Sequence, residues 1–207
     1  MPNLQPIRAY FEERLQAHGA SPRGVDWNSA TAQEARFDQL LRVVKQAPGE
    51  FSILDYGSGY GALADYLERQ GYAADYVGYD MLESAVAAAE EHHRGKARRR
   101  FYSDASLLTN VDYAVASGVF NYRGPESFDS WTEIVIAALT EMNRLSTRGF
   151  ASTFLTKYSD ADRMRADLYY ADPCFLFDYC KRNFAKDVAL LHDYSLYDFT
   201  LIVRKNP

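Results

Sequence analysis

The sequence predicts a three-layer α/β fold, a mostly parallel sheet with helices on both faces. Three observations carry that prediction. Short apolar runs alternate with amphipathic helical stretches, most runs are far enough apart for a crossover helix, and only the last two lie a few residues apart. Long connections join parallel strands through right-handed crossovers, whereas a short one folds back as a hairpin, so one of the final two strands should run against the rest.

The elements follow in chain order. Residues 1–47 read as an N-terminal helical cap, in which residues 31–46 carry Phe37, Leu40, Leu41 and Val44 at helical spacing until Pro48 and Gly49 close the helix. FSILDY (51–56) is a strand that meets a glycine cluster and then a helix through Leu63, Tyr66 and Leu67, ending at Gly71. DYVGYD (75–80) is the next strand, and MLESAVAAAEEHH (81–93) an alanine-rich helix stopped near Gly95. RRFY (99–102) is a weaker strand and VDYAVASGVF (111–120) begins as a buried one. Trp131, Ile134, Val135, Ala138, Leu139 and Met142 share a helical face, and RGFASTFLT (148–156) is a fifth strand. Residues 159–185 read as helical with an interruption at Pro173, making an insertion of about 157–185 after strand five. DVALLHDYSLYDFTLIVRK then supplies the closing strand pair. No linker tract splits the chain, so 1–207 is expected to form one domain with its core at 48–207.

Composition narrows the function classes. Apolar residues are 47% and charged residues 25%, which excludes disordered, collagen-like and disulfide-scaffold readings. Acidic residues number 28 against 23 Lys and Arg, a net charge of −5 that weighs against nucleic acid as a partner. No stretch approaches the ~20 apolar residues of a membrane span, and MPNLQPIRAYFEERL lacks a signal-peptide core, so the expected location is cytoplasmic, off the membrane. Cys174 and Cys180 form no metal-ligand pattern and read as reduced thiols, and no metal is expected. Sixteen Tyr and twelve Phe make the chain rich in rings that suit both a core edge and a small-molecule pocket.

The sharpest local signal is ILDYGSGYGALADYL, where Gly57, Gly59 and Gly61 join the first strand to its helix. Glycines there let the backbone turn tightly and approach a ligand at the carboxyl end of the sheet, beside the topological switch point. Asp80 ends the second strand, where a carboxylate can accept hydrogen bonds from both hydroxyls of a ribose. The loop spacing is G-S-G-Y-G, and Asp55 stands two residues before the first glycine. A carboxylate so close disfavours a pyrophosphate and suits an ammonium, and no Walker-type lysine is present. S-adenosylmethionine carries an ammonium and no phosphate. A nicotinamide dinucleotide remains the alternative, since it also uses a glycine loop and an acid.

ILDYGSGYG, the VGYD strand tip, FYSDAS and the closing hairpin together resemble the successive motifs of class I S-adenosylmethionine-dependent methyltransferases, over roughly residues 30–204. The resemblance implies a Rossmann-like sandwich, a seven-stranded sheet with an antiparallel last strand, and S-adenosyl-L-methionine as cofactor. It implies that Asp55, Gly57, Ser58 and Gly59 hold the methionine part, that Gly61 belongs to the same cofactor-binding loop, and that Asp80 binds the ribose. Met81 would pack on the adenine face, Asp104 and Ala105 would meet its amino edge, and Ser117 would lie near the methionine moiety or the acceptor. It further implies an acceptor pocket built from the N-terminal segment and the segments after strands four and five.

In those segments Arg36, on a helical face with Gln33, is a candidate for the cofactor carboxylate or an anionic acceptor. Trp27, Asn28, Asn121, Arg123, Tyr158, Tyr169 and Tyr170 are candidate acceptor-binding residues, and His192 and Tyr122 candidate catalytic ones. The plain readings stand beside these: Ser29 as a helix cap, Arg36 as a solvated charge, Asp104 as a cap, His192 as a hairpin residue. The functional expectation is a methyltransferase acting on a small molecule mainly by positioning, with room for a homodimer. The alternatives are a nicotinamide-dependent oxidoreductase and a non-catalytic S-adenosylmethionine-binding module.

Overall fold

The computed structural model describes residues 3–27, 29–44 and 49–205. Its strands are β1 (Phe51–Tyr56), β2 (Ala74–Tyr79), β3 (Arg99–Tyr102), β4 (Val111–Ala116), β5 (Ser146–Thr156), a two-residue β6 (Tyr170–Ala171), β7 (Asp187–Leu191) and β8 (Asp198–Arg204). Its α-helices are α1 (Gln5–His18), α2 (Ala30–Leu41), α3 (Ala62–Arg69), α4 (Glu83–His92), α5 (Phe128–Leu145) and α6 (Pro173–Asn183). The sheet order is β3-β2-β1-β4-β5-β8-β7, with β6 pairing β5. Every pairing is parallel except those of β8, which runs antiparallel to both β5 and β7. The expected hairpin therefore closes the sheet, and β8 is its reversed strand.

Alternating side chains of the strands feed two cores. Leu54, Ala114, Phe150 and Leu201 pack with Trp131, Val135, Leu139 and Met142 of α5 and Leu176 of α6. Ile53, Tyr113, Val115 and Ile202 pack on the other face with Phe37 and Leu40 of α2, Leu63 and Leu67 of α3 and Ala89 of α4. Neighbouring residues of one strand thus serve opposite layers, which is the three-layer arrangement the pattern predicted. Each large apolar side chain so buried contributes about 1.5–3 kcal/mol.

The departures are local. The helix expected over 31–46 ends at Leu41 and passes into a turn, while residues 45–48 lie outside those described. Ser29 caps it, its hydroxyl accepting from the Ala32 N–H at 3.1 Å. Pro173 does not interrupt a helix; it begins one. Asp172 accepts from the N–H groups of Cys174 (2.9 Å) and Phe175 (3.3 Å), and proline at the first position loses no bond because that N–H has no helical partner. Between β5 and β6 the chain is irregular apart from a 3₁₀ turn at Ala161–Arg163.

β1 and β4 leave the middle of the sheet toward opposite sides, and their carboxyl ends flank the switch point. After β1 the N–H groups of Gly57 and Ser58 both donate to the Tyr79 carbonyl (2.7 and 2.9 Å), folding the loop onto the end of β2.

Candidate active site

At the carboxyl ends of β1, β2 and β4 lies a cavity of about 260 Å³. Its floor is the glycine loop. Gly57 and Gly59 have φ of 80° and 52°, and an added Cβ would stand 2.4 Å from a Val119 methyl or 2.6 Å from one of Val25. Only glycine leaves the loop surface open there. Asp55, Ser58, Asp80, Met81 and Ser117 also face the cavity, as the sequence led us to expect.

Its electrostatics centre on two carboxyls. Asp55 is buried and accepts a hydrogen bond from the Tyr76 hydroxyl at 2.7 Å. Burial pushes its pKa up to about 7; the Tyr76 bond works against that rise, and the nearby Asp80 adds to it. Asp80 Oδ2 accepts from the Gly59 N–H at 2.9 Å and Oδ1 from the Leu82 N–H at 3.0 Å, so this residue ties the glycine loop to the start of α4. Burial also raises the Asp80 pKa, opposed by those two bonds and by Arg8. Among the described residues the buried Ser58 and Ser117 hydroxyls have no geometrically formed hydrogen bond.

The roof comes from the N-terminal segment. Leu4, just before α1, and Ile7, Phe11 and Leu15 of α1 line the cavity, and Arg8 Nη1 donates to the Met81 carbonyl at 2.7 Å. Val25 rests on Gly59 and the Trp27 indole on Gly118, whose φ is 66°. The Arg36 guanidinium stacks on Trp27 at 4.3 Å and pairs with the buried Asp198.

Other candidates stand elsewhere. Gly61 begins α3 outside the cavity wall. Asp104 and Ala105 are exposed, and the Asp104 carboxylate caps a 3₁₀ turn through the Ser106 N–H at 2.8 Å. Arg36 is spent on Asp198 and Trp27 and does not line the cavity. His192 is exposed beside Tyr158 and Phe199, each at 6.1 Å between ring centroids. Tyr122 stacks on Tyr10 at 3.9 Å, behind Phe11. Arg123 donates to the carbonyls of Glu126, Ala166 and Leu168, so it holds a loop together. Asn121 accepts from the Leu155 N–H at 3.3 Å. Tyr169 is buried with its hydroxyl 3.0 Å from that of Thr132, Tyr170 accepts from the Arg165 N–H at 3.0 Å, and Tyr158 is 61% exposed. Asn28 lies outside the described residues. Of the acceptor-binding candidates that the structure describes, only Trp27 reaches the cavity.

The α1 stripe was missed, although Leu4, Ile7, Phe11 and Leu15 recur at spacings of three, four and four. Ile134 and Ala138 of α5 also line the cavity, although their spacing reads simply as core. Away from it, Asp65, His92 and His93 bring ligand atoms within 4.8 Å of one another. Arg99 donates to Asp65 at 2.9 Å and stands 2.5 Å from His93 Nδ1, placing a fixed cation where a metal would have to bind.

No protein-family model matches the chain. The candidate methyltransferase Rv1506c of Mycobacterium tuberculosis is 50% identical over 165 residues, covering 80% of this chain and 99% of that protein. Among solved structures, the magnesium protoporphyrin IX methyltransferase of Synechocystis PCC 6803, with S-adenosylhomocysteine bound, superposes with a TM-score of 0.66 at 18% identity, covering 98% of this chain and 100% of that one. The N-methyltransferase NodS of Bradyrhizobium japonicum WM9, also a complex with S-adenosylhomocysteine, gives 0.65 at 16% identity, with 97% and 98% covered. With this relative and this topology, the chain belongs to the class I S-adenosylmethionine-dependent methyltransferase family.

Proposed function

We propose that the chain transfers the methyl group of S-adenosylmethionine to a small molecule bound in the same cavity. The observation that carries this reading is the pair of carboxyls, Asp55 and Asp80, facing one cavity on either side of a glycine loop packed so tightly on Val119 and Val25 that it has no room for a Cβ. The donor set fits the cofactor. Asp80 is placed to accept from ribose hydroxyls, Asp55 to take the ammonium and Met81 to lie against the adenine. When bound, the cofactor supplies an electrophilic methyl on a sulfonium.

The protein's own part is alignment. Holding the acceptor in line with the methyl replaces a bimolecular encounter with a positioned one, a gain that reaches about 7–11 kcal/mol in well-oriented systems. An acceptor held beside Ser117 and Gly118 would take up the methyl group that the bound cofactor supplies. Among the described residues the cavity wall contains no His, Cys, Glu or Lys, and its two carboxyls, Asp55 and Asp80, are the groups assigned to the cofactor. That arrangement supports catalysis by positioning and gives neither His192 nor Tyr122 a direct role.

No described helix is long and apolar enough to cross a membrane, and α1 forms part of the cavity wall. The test is incubation with methyl-labelled S-adenosylmethionine and a fractionated small-molecule extract. Release of S-adenosylhomocysteine with label in a small product is expected. Tight cofactor binding with no turnover on any fraction would favour a binding module instead.

A further inference from the structure

The wall around Trp27 bears on the acceptor, an inference that rests on the cavity holding the cofactor. Its indole edge touches Gly118 at the end of β4, beside the Ser117 hydroxyl. A molecule brought against Ser117 and Gly118 therefore meets Trp27. The indole does not swing freely, because Arg36 stacks on it at 4.3 Å and is itself held by Asp198, which is 1% exposed. Arg36 also donates to the Ala32 carbonyl at 2.6 Å, so the guanidinium is fixed by α2 and β8 together.

We infer that Trp27, propped by the Arg36–Asp198 pair, selects an uncharged and largely apolar acceptor. Several observations point the same way. A guanidinium on an indole draws electron density from the ring, which weakens its attraction for any second cation. Ile7, Phe11 and Val25 add apolar surface to the same cavity. The only carboxyls on the described wall, Asp55 and Asp80, are taken by the cofactor, and the cofactor's sulfonium repels a cationic acceptor. An anion fares no better. The one guanidinium on the wall, Arg8, lies beside Asp80 and donates to the Met81 carbonyl, and Arg36 is already neutralised. A charged acceptor would lose its hydration without a free partner, and the cavity penalises it.

The proposal makes Trp27 a specificity residue and Arg36 a positioning residue. The test loads the full-length protein with S-adenosylhomocysteine and titrates three matched probes by calorimetry: 2-naphthol, 2-naphthoate and 2-naphthylmethylammonium. The naphthol should bind at least about tenfold tighter than either ion. Arg36→Gln and, as a variant that leaves the Asp198 pair intact, Trp27→Leu should each lose about tenfold of naphthol affinity while retaining S-adenosylhomocysteine affinity within about threefold. In a Trp131→Phe background, where Trp27 is the only tryptophan and the wall keeps an aromatic ring at 131, naphthol should quench the fluorescence, and Arg36→Gln should shift the quenching curve to about tenfold higher naphthol concentration. Equal or tighter binding of the cation, no binding of any probe, or an unchanged naphthol affinity in Trp27→Leu would overturn the inference. If S-adenosylhomocysteine itself does not bind, the cofactor reading falls, and the same probe series run on the free protein decides this one.

Discussion

At the residue scale the account turns on Asp55. With a pKa of about 7 in the folded protein, against the ordinary carboxylate value in the unfolded chain, the native state keeps a proton that the unfolded state has already lost. Asp55 therefore destabilises the unliganded protein progressively as pH rises from about 4 to about 7, by on the order of 2–4 kcal/mol. Asn can still accept from Tyr76, so Asp55→Asn should raise stability at pH 8 and leave it little changed at pH 4, as read by urea unfolding. Cofactor binding has the opposite slope. An ammonium prefers the ionised carboxyl, so affinity in the native protein should fall as pH drops below about 7, and Asp55→Asn should bind weakly with a flat profile. Asp80→Ala should weaken binding of S-adenosylhomocysteine by about 1–3 kcal/mol in calorimetry, because it removes the acceptor for the ribose and unties Gly59 and Leu82. That Asp55, Asp80, Gly57 and Gly59 meet at one cavity was legible in the sequence because their chemistry is tied to local spacing. His192, Tyr158 and Arg123 were read as pocket residues on chemistry alone, and residue type does not say which way a loop side chain faces.

At the scale of elements, α1 forms part of the cavity wall. Its apolar stripe roofs the cavity, and it is tethered by Arg8 to the Met81 carbonyl and by Tyr10 and Arg14 to Asp26, at 2.8 Å each for the latter two. Arg8→Ala should loosen the helix, so backbone amides over residues 5–18 should exchange with deuterium faster than in the parent protein, and cofactor should restore less of the protection. Equal exchange would mean that the apolar stripe alone holds the roof. The strands and the long helices were legible because period-2 and period-3.6 patterns survive in a single sequence. Pro173 misled because one residue type both breaks a helix interior and begins a helix; the Asp172 cap before it was the signal that decided between the two.

At the scale of the whole molecule, the order β3-β2-β1-β4-β5-β8-β7 places the loops after β1 and β4 side by side, and the cavity follows from that adjacency. The layering and the reversed β8 could be argued from connection lengths alone. The roof of the cavity could not, since it forms where α1, the Val25–Trp27 turn and α5 converge, and no single stretch of sequence encodes that meeting. The most direct measurement is calorimetric titration of the ligand-free protein with S-adenosylmethionine, S-adenosylhomocysteine and NAD. The account predicts one-to-one binding of the first two at about micromolar affinity, near −8 kcal/mol, and none of the third. Binding of NAD with no response to the other two would contradict it.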